Sequence, residues 1–376
     1  MKRIAFVIQD LFSQGAQYAT ALMVRGFVAK GYHVDLLVGA FHDKLAAEGK
    51  TPFETPPETN WIHLKGIKAR QNIGALRRYL KTTDAEAVVS MCSTYDAALA
   101  FASVGLRRRP RLYRVEHGIT FSFDGRKAGV RSRWVNSRFD GVMAVAKGVA
   151  DELVRLNYVR RDKVSVVFNP VVDAAFEAKQ KLPPTHPWLV NKSLPTFVCA
   201  GSFTEDKDHF TVMAAFNRLI GRARIIIYGK GPLREKYEEY IRANHLEATV
   251  SLPGFTECLP AEVKASDGYV SSSQVESFGI AIAEGLAAGV PVISTDAPCG
   301  PREILHGGLY GQLVALHDAE GLAEAVRNVL EGKVRAAADR SWTPYRLERI
   351  VERYERATGL AGQTPILWEN IVKCEK

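Results

Sequence analysis

The chain has 376 residues, a formal net charge of +9, and 47% hydrophobic and 24% charged residues. These proportions are typical of a globular protein, and the length allows two domains with separate cores. No apolar run approaches the length that spans a bilayer. The five cysteines show neither CxxC spacing nor pairing with histidine, which excludes a disulfide framework and a zinc site and favours a reducing, cytoplasmic compartment.

The first half of the chain predicts strands that alternate with helices. The alternation of strands and helices predicts a parallel sheet whose ligands bind at the carboxyl ends of its strands. The apolar start of the chain ends at Gln9 and Asp10 after five residues, which is too short for a signal peptide. Residues 40–70 are mixed and contain three prolines, so we expect irregular chain there. The predicted strands are 4–8, 33–38, 87–91, 111–115, 141–145 and 164–168, and the predicted helices are 18–30, 73–81, 95–104, 134–139 and 149–156.

Two positions in this half are candidates for ligand contact. Gly15 lies in the loop after the first predicted strand, but a single glycine is not the GxGxxG of a dinucleotide site. His117 follows a predicted strand and precedes Gly118, where a side chain would face a ligand. The alternative is a hydrogen-bonded histidine with a structural role.

Basic residues are concentrated in the first half of the chain. They are consistent with a solvated surface, or with attraction to an anionic membrane or a polyanionic acceptor. No base-reading or base-stacking motif accompanies them, so nucleic acid is not an expected partner. The residues concerned are Arg77, Arg78, Arg107, Arg108, Arg109, Arg111, Arg114, Arg126, Lys127, Arg131, Arg133, Arg160 and Arg161.

The second half predicts another alternating series. Residues 173–195 contain several prolines and no periodicity, so we expect an interdomain linker at the start of this stretch. Turn residues at 296–301 precede the last strand. The predicted strands are 197–200, 224–228, 250–255, 268–270, 291–294 and 313–315, and the predicted helices are 211–219, 233–244, 278–289, 319–330 and 342–357.

The most informative stretch is residues 271–305, which predicts strand, polar loop, helix and strand. The unpaired amides of the helix N-terminus and the helix dipole favour an anion there. Glu276 and Glu284 flank the turn, and helical side chains lean toward the N-terminus. Carboxylates would repel a diphosphate, so we expect one to accept hydrogen bonds from a ribose and the other from a transferred sugar. The alternative is an ordinary helix with an N-terminal acid and a solvated Glu284.

The frame ESFGIAIAEGLAAGVPVIST, with Glu276 and Glu284 eight positions apart, resembles the signature of retaining nucleotide-sugar glycosyltransferases of family 4. Residues 296–305 are similar to bacterial members that build capsule, O-antigen and lipid-linked glycans. The resemblance implies the α/β GT-B fold, with two Rossmann-like parallel-sheet domains that face each other across a cleft. We expect an acceptor-binding domain at 1–172, a donor-binding domain at 173–342, and a last helix within about 343–376 that packs back on the first domain.

The resemblance also implies residue roles. The predicted catalytic residues are His117, near the anomeric carbon and phosphate, Lys207, which contacts the diphosphate, and Glu276. The family usually has arginine where this chain has Ser202, and Arg302 is the candidate substitute, although it could instead cap a helix or pair with Glu303. Gln14 and Gln17 are expected on the acceptor side, and 250–255 beside the base. The expected donor-binding residues are Gly15, Gly201, Ser202, Lys207, Gly229, Gly231, Pro232, Glu276, Ser277, Phe278, Gly279, Ile280 and Glu284.

The implied reaction moves a hexose or N-acetylhexosamine from a nucleotide diphosphate sugar, preferably a UDP sugar, to a hydroxyl of a glycan or lipid-linked glycan, with retention. Asp206 and Asp208 mimic a DxD metal motif, but Lys207 lies between them, so neither a metal nor another cofactor is expected. We place such an enzyme in the cytoplasm, at the inner face of the membrane. The alternatives are a sugar-nucleotide epimerase of the same fold and a non-catalytic sugar-nucleotide or glycan-binding protein. A dehydrogenase is disfavoured, because GxGxxG is lacking.

Overall fold

The computed structural model describes residues 2–12, 15–49, 52–118, 129–337 and 341–362. The chain divides into two compact units. The N-terminal unit contains Met1–Pro170 and Leu347–Lys376, and the C-terminal unit contains Val171–Arg346. The division after residue 170 lies two residues before the boundary that the sequence predicts.

The N-terminal unit is built on a seven-stranded parallel sheet. Its strands are β1 (Arg3–Ile8), β2 (His33–Gly39), β3 (Asn60–Leu64), β4 (Ala87–Ser90), β5 (Arg111–Glu116), β6 (Gly141–Ala144) and β7 (Val164–Val166), in the order β3-β2-β1-β4-β5-β6-β7. The strands read as continuous apolar runs because helices cover both faces of such a sheet. The helices are α1 (Gly15–Ala29), α2 (Ala40–Ala47), α3 (Ile73–Thr82), α4 (Ser93–Ala102), α5 (Val130–Ser137) and α6 (Lys147–Arg155).

The C-terminal unit repeats this architecture with a six-stranded parallel sheet. Its strands are β8 (Thr196–Ala200), β9 (Arg224–Tyr228), β10 (Val250–Gly254), β11 (Gly268–Ser271), β12 (Val292–Thr295) and β13 (Gln312–Val314), in the order β10-β9-β8-β11-β12-β13. Its helices are α7 (Ala174–Lys179), α8 (Pro187–Val190), α9 (His209–Asn217), α10 (Arg234–Ala243), α11 (Leu259–Ala265), α12 (Ile280–Ala288), α13 (Gly300–Ile304) and α14 (Ala319–Leu330).

The last described helix, α15 (Leu347–Thr358), belongs to the N-terminal unit. Tyr354 meets Phe27 of α1 edge to face, with 6.4 Å between ring centroids. Glu355 accepts hydrogen bonds from Lys30 (2.5 Å) and Tyr32 (2.7 Å). These contacts fix the chain end on α1. Residues 363–376 of the predicted terminal segment lie outside the described residues.

Residues 40–70 are not the irregular chain that the sequence predicts, and a short helix lies at the start of 173–195, where the interdomain linker is expected. Residues 40–70 contain α2 and the edge strand β3, and residues 173–195 contain α7 and α8. Asp173 begins α7 because its carboxylate accepts a hydrogen bond from the Phe176 amide (2.8 Å), and Phe176 is buried. These elements are too short for their periodicity to appear in the sequence. Within the described part of the chain, every helix is too short or too polar to cross a bilayer.

Candidate active site

The strand order of the C-terminal sheet reverses between β8 and β11. Loops that leave the carboxyl ends of two such strands run to opposite sides of the sheet, and ligands bind in the crevice between them. The loop after β8 contains residues 201–208, and the loop after β11 contains residues 272–279. Lys207 and Glu276, the two predicted catalytic residues of this unit, therefore lie at its reversal point.

Hydrogen bonds join these two loops directly. The Gln274 amide donates to the Asp206 carbonyl (2.8 Å), and the Ser272 hydroxyl donates to the Lys207 carbonyl (2.9 Å). Lys207 Nζ then lies 2.5 Å from Glu276 Oε1, with 22% of the lysine and 18% of the glutamate side chain exposed. Residues 69 positions apart therefore form one partly buried ion pair.

Polar side chains outside the predicted set of site residues position this pair. The Ser273 hydroxyl donates to the same Glu276 oxygen (2.9 Å), and the Thr295 hydroxyl donates to the Ser273 carbonyl (2.6 Å). Ser272, Ser273 and Thr295 are buried. The available signal was three consecutive serines directly after an apolar strand, since buried hydroxyls require hydrogen-bond partners.

The turn before α12 is shaped by glycines. Gly279 has a φ of +102°, in the left-handed region, and none of the described side chains caps the helix there. The Gly300 amide donates to the Glu276 carbonyl (2.9 Å), and a Cβ at Gly300 would lie 1.8 Å from the Phe278 carbonyl oxygen. The Ile282 and Ala283 amides donate to the Gly279 carbonyl (3.0 and 3.2 Å), which leaves the Ile280 and Ala281 amides as the candidate donors to an anion.

Glu284 lies inside α12 and is 9% exposed. The interpretation of Glu284 as a solvated side chain is therefore wrong. Burial raises the pKa of its carboxyl to about 7, and the positive charge of Lys179 opposes this shift. A carboxyl that titrates near neutrality differs in charge between mildly acidic and mildly basic solution.

The glycines after β9 allow a close backbone approach. A Cβ at Gly229 would lie 1.9 Å from the Gly201 carbonyl oxygen, and one at Gly231 would lie 2.5 Å from the Phe203 carbonyl oxygen. The Phe203 amide also donates to the Lys230 carbonyl (2.9 Å). These glycines, which the sequence analysis assigned to nucleotide binding, therefore have a packing role, and the exposed Pro232 follows them.

Arg302 pairs with Asp296 rather than with Glu303. Its Nε lies 3.1 Å from Asp296 Oδ1, and 63% of its side chain is exposed. Ser202 is exposed, and its carbonyl lies 3.2 Å from Nε2 of His209. Burial lowers the pKa of His209 to about 4, so its neutral ring can donate this hydrogen bond.

Asp208 has a capping role rather than that of a free carboxylate. It has a φ of +45° and precedes α9. Its Oδ2 accepts a hydrogen bond from the Thr211 hydroxyl (2.7 Å) and lies 2.8 Å from His317 Nδ1. The second acid of the Asp206–Asp208 pair is therefore engaged in starting a helix.

In the N-terminal unit, His117 follows β5 directly. Among the described residues, both of its ring nitrogens are buried without a hydrogen-bond partner. Burial lowers its pKa to about 4, and a neutral imidazole offers one donor and one acceptor. Gln17 of α1 has a buried Oε1 that also has no hydrogen-bond partner among the described residues. Gly15 is the first residue of α1. Gln14 lies outside the described residues.

Arg114 is not a surface cation, although the sequence places it in the basic cluster of the first half. Its side chain is 4% exposed and donates to Asp96 (2.7 Å) and Glu116 (2.9 Å). Arg109 is paired with Asp140 at 2.7 Å. Arg114 is thus committed to internal pairs, because a buried cation requires an anionic partner, whereas the Arg109 pair is partly exposed.

Comparison with known proteins agrees with this architecture. The model of Glycosyltransferase Family 4 matches residues 13–174, and that of Glycosyl transferases group 1 matches residues 186–345. An uncharacterized glycosyltransferase of Methanocaldococcus jannaschii is 36% identical over 112 residues, which are 29% of this chain and 28% of that protein. The chain thus spans under a third of that relative's length.

Broader matches cover both units. The lipopolysaccharide 1,6-galactosyltransferase of Salmonella typhimurium is 22% identical over 282 residues, which are 74% of this chain and 75% of that protein. The structure of HepE from Anabaena in complex with UDP and glucose superposes with a TM-score of 0.73 at 18% identity, covering 96% of this chain and 100% of that one. The two-domain fold prediction is confirmed. The chain belongs to the GT-B glycosyltransferases, with a Glycosyltransferase Family 4 domain followed by a Glycosyl transferases group 1 domain.

Proposed function

We propose that the protein transfers a hexose or N-acetylhexosamine from a nucleotide diphosphate sugar, with retention, to a hydroxyl of a glycan or lipid-linked glycan. The observation that carries this proposal is the meeting of Lys207 and Glu276 at the reversal point of the C-terminal sheet. UDP is the preferred nucleotide, and the structures of HepE with UDP support that preference for a protein of this fold.

The proposed reaction breaks the bond between the anomeric carbon and the phosphate oxygen. The acceptor oxygen forms its bond on the same face of the sugar, and its proton passes to the leaving phosphate. The chain contributes positioning and electrostatic stabilisation. Lys207 and the first-turn amides of α12 would stabilise the charge on the phosphate. Glu276 would accept a hydrogen bond from the transferred sugar, and Glu284 from the ribose.

Lys207 takes the role of a metal cation, so turnover is expected to survive EDTA.

The acceptor side would lie in the N-terminal unit. Among the described residues neither ring nitrogen of His117 has a hydrogen-bond partner, and a neutral imidazole suits a hydroxyl, which both donates and accepts. Gln17 Oε1, which has no partner within the described part of the chain, adds a second acceptor for a sugar hydroxyl. These atoms support a sugar hydroxyl as the group bound there.

The proposal is tested by incubating the protein with UDP, GDP and ADP sugars and a lipid-linked or glycan acceptor. Thermal-shift screening selects the nucleotide, and NMR of the product gives the anomeric configuration. A product with retained configuration supports the proposal. An inverted product, or epimerisation of the donor without acceptor, would contradict it, and donor binding without hydrolysis or transfer would identify a binding protein.

Glu284 predicts how nucleotide affinity depends on pH. Its carboxyl has a pKa of about 7, and only the ionised form is a full acceptor for the ribose hydroxyls. UDP affinity should therefore rise between pH 6 and 8, by a factor of up to about ten per pH unit below the pKa. Calorimetry on the wild type and on Glu284→Gln checks this. Ionisation of the nucleotide phosphate affects both proteins equally, so a parallel pH dependence of the two would contradict the assignment.

We also propose that the N-terminal unit contacts an anionic membrane. Exposed apolar side chains lie together at the end of α4 and on α5, with 4.7 Å between the Phe101 and Trp134 ring centroids. Aromatic side chains favour the membrane interface, and arginines favour anionic lipid. The apolar patch consists of Phe101 (46% exposed), Val104 (44%), Val130 (84%) and Trp134 (36%). The exposed arginines on the same two segments are Arg107, Arg108, Arg131 and Arg133.

Replacement of both aromatic side chains of this patch should weaken vesicle binding. The double variant Phe101→Ser/Trp134→Ser is expected to lose roughly tenfold in partition onto vesicles that contain phosphatidylglycerol. Co-sedimentation measures this, and Leu309→Ser, which removes an apolar side chain 71% exposed on the C-terminal unit, serves as the control. Equal binding of the wild type to neutral and anionic vesicles would contradict the membrane proposal.

A further inference from the structure

Two hydrogen-bond donors converge on one oxygen of Glu276. Lys207 Nζ lies 2.5 Å from Oε1, and the Ser273 hydroxyl donates to the same atom at 2.9 Å. The lysine and glutamate side chains are only 22% and 18% exposed. The carboxylate is thus held by one charged and one neutral partner before any substrate arrives.

The charge balance around Lys207 is unfavourable for an incoming anion. The carboxylate of Asp206 lies 3.8 Å from the same ammonium, so one cation already faces two anions. A nucleotide diphosphate would add further negative charge at this ammonium. A poorly hydrated charge that loses its partner is costly. Lys207 should therefore leave Glu276 only as the diphosphate takes its place. Breaking the ion pair before the diphosphate arrives would cost more.

We propose that the diphosphate of the nucleotide displaces Glu276 from Lys207, and that Ser273 is a positioning residue that holds the released carboxylate. This inference rests on the proposed transferase function. Ser273 suits the task because it is 4% exposed, and its carbonyl is fixed by the Thr295 hydroxyl at 2.6 Å. When Lys207 leaves, Glu276 keeps the hydrogen bond from Ser273 and can accept a hydrogen bond from a sugar hydroxyl. Glu276 thus competes with the diphosphate for Lys207 and then binds the sugar.

The exchange predicts opposite effects on binding and turnover for Glu276→Gln. A neutral amide does not compete for the ammonium, so UDP should bind about three- to tenfold more tightly than to the wild type. Turnover should fall, because an amide is a weaker acceptor for the sugar hydroxyl than a carboxylate. A residue that merely supports the fold would not produce tighter product binding together with slower turnover.

Ser273→Ala has the opposite expected effect on binding. Without the Ser273 hydroxyl, Lys207 is the only one of the two donors left to the Glu276 carboxylate. When the diphosphate is bound to Lys207, the carboxylate then has neither donor. UDP affinity should fall about threefold. Ser273→Thr keeps the hydroxyl and should restore affinity. In the double variant Ser273→Ala/Glu276→Gln the serine effect should vanish, because no carboxylate remains to be held.

The experiment is calorimetric titration of the full chain with UDP, GDP and ADP at fixed salt and pH, together with kcat and KM for each variant. Tighter UDP binding by Glu276→Gln and a serine effect that disappears in the double variant support the proposal. Weaker or unchanged UDP binding by Glu276→Gln overturns the exchange, even if the wild type transfers sugar. A serine effect that persists in the double variant overturns the role of Ser273. If no nucleotide binds the wild type, the proposed function and the exchange both fail.

Discussion

Lys207→Ala is expected to lower kcat/KM for the donor about 100- to 1000-fold, the range found when one preorganised donor to a developing anion is removed. The ammonium that pairs with Glu276 at 2.5 Å would otherwise stabilise the leaving diphosphate. Steady-state kinetics on the wild type and variant measure the loss. Most of it should appear in kcat, because the charge on the phosphate grows in the transition state.

Two controls separate this chemistry from lost stability. Lys192→Ala removes a lysine whose partner, Asp267, is 3.0 Å away, in a pair that is 35% and 38% exposed, and such a change should leave kcat/KM nearly unaltered. Lys207→Ala also leaves Glu276 without its cation, so the double variant Lys207→Ala/Glu276→Gln should recover thermal stability without recovering activity. Wild-type kinetics in Lys207→Ala would contradict the catalytic assignment.

Because motif and topology agree at the loops of Lys207 and Glu276, the sequence selected both residues separately, but it did not predict the ion pair between them. The apolar strands before Gly201 and Ser271, together with the family frame around Glu276, place both loops at carboxyl ends of neighbouring strands. It did not locate Ser273, because serine in a loop is common and only the structure reveals that its hydroxyl reaches the partly buried carboxylate of Glu276. Side-chain partners depend on contacts between residues that are far apart in the chain, and the local periodicity of the sequence does not reveal such contacts.

Charge was predicted less well than topology for the same reason. Arg114 lies in a run of basic residues, yet it is buried between Asp96 and Glu116. Its position within β5 was the available signal, because alternate residues of a central parallel strand face covering helices. Arg302 likewise pairs with Asp296, six residues before it in the chain, although Glu303 is adjacent in sequence. A partner at that separation cannot be chosen from several acids without the fold.

Gly300→Ala is expected to destabilise the C-terminal unit by about 3 kcal/mol or more, because overpacking against rigid backbone has no cheap relaxation. A Cβ at this buried position would lie 1.8 Å from the carbonyl oxygen and 2.4 Å from the carbonyl carbon of Phe278. The Phe278 carbonyl must therefore move. Since Gly279 and Ile280 follow directly, the amides that would hold the diphosphate should move with it, and donor KM should rise.

Differential scanning calorimetry and donor kinetics measure both effects, with an expected drop in Tm of about 6 to 12 °C for a unit of this size. The matched control is Gly74→Ala in α3, where an added Cβ meets nothing within 4 Å. That change should raise stability by about 0.5 to 1 kcal/mol, because alanine loses less entropy in a helix than glycine. Comparing the two variants separates the effect of the contact between the added Cβ and the Phe278 carbonyl from the general effect of replacing glycine with alanine. An unchanged Tm in Gly300→Ala would mean that the turn before α12 adapts without cost, and the anion site would then not be the rigid geometry on which the Lys207 prediction depends.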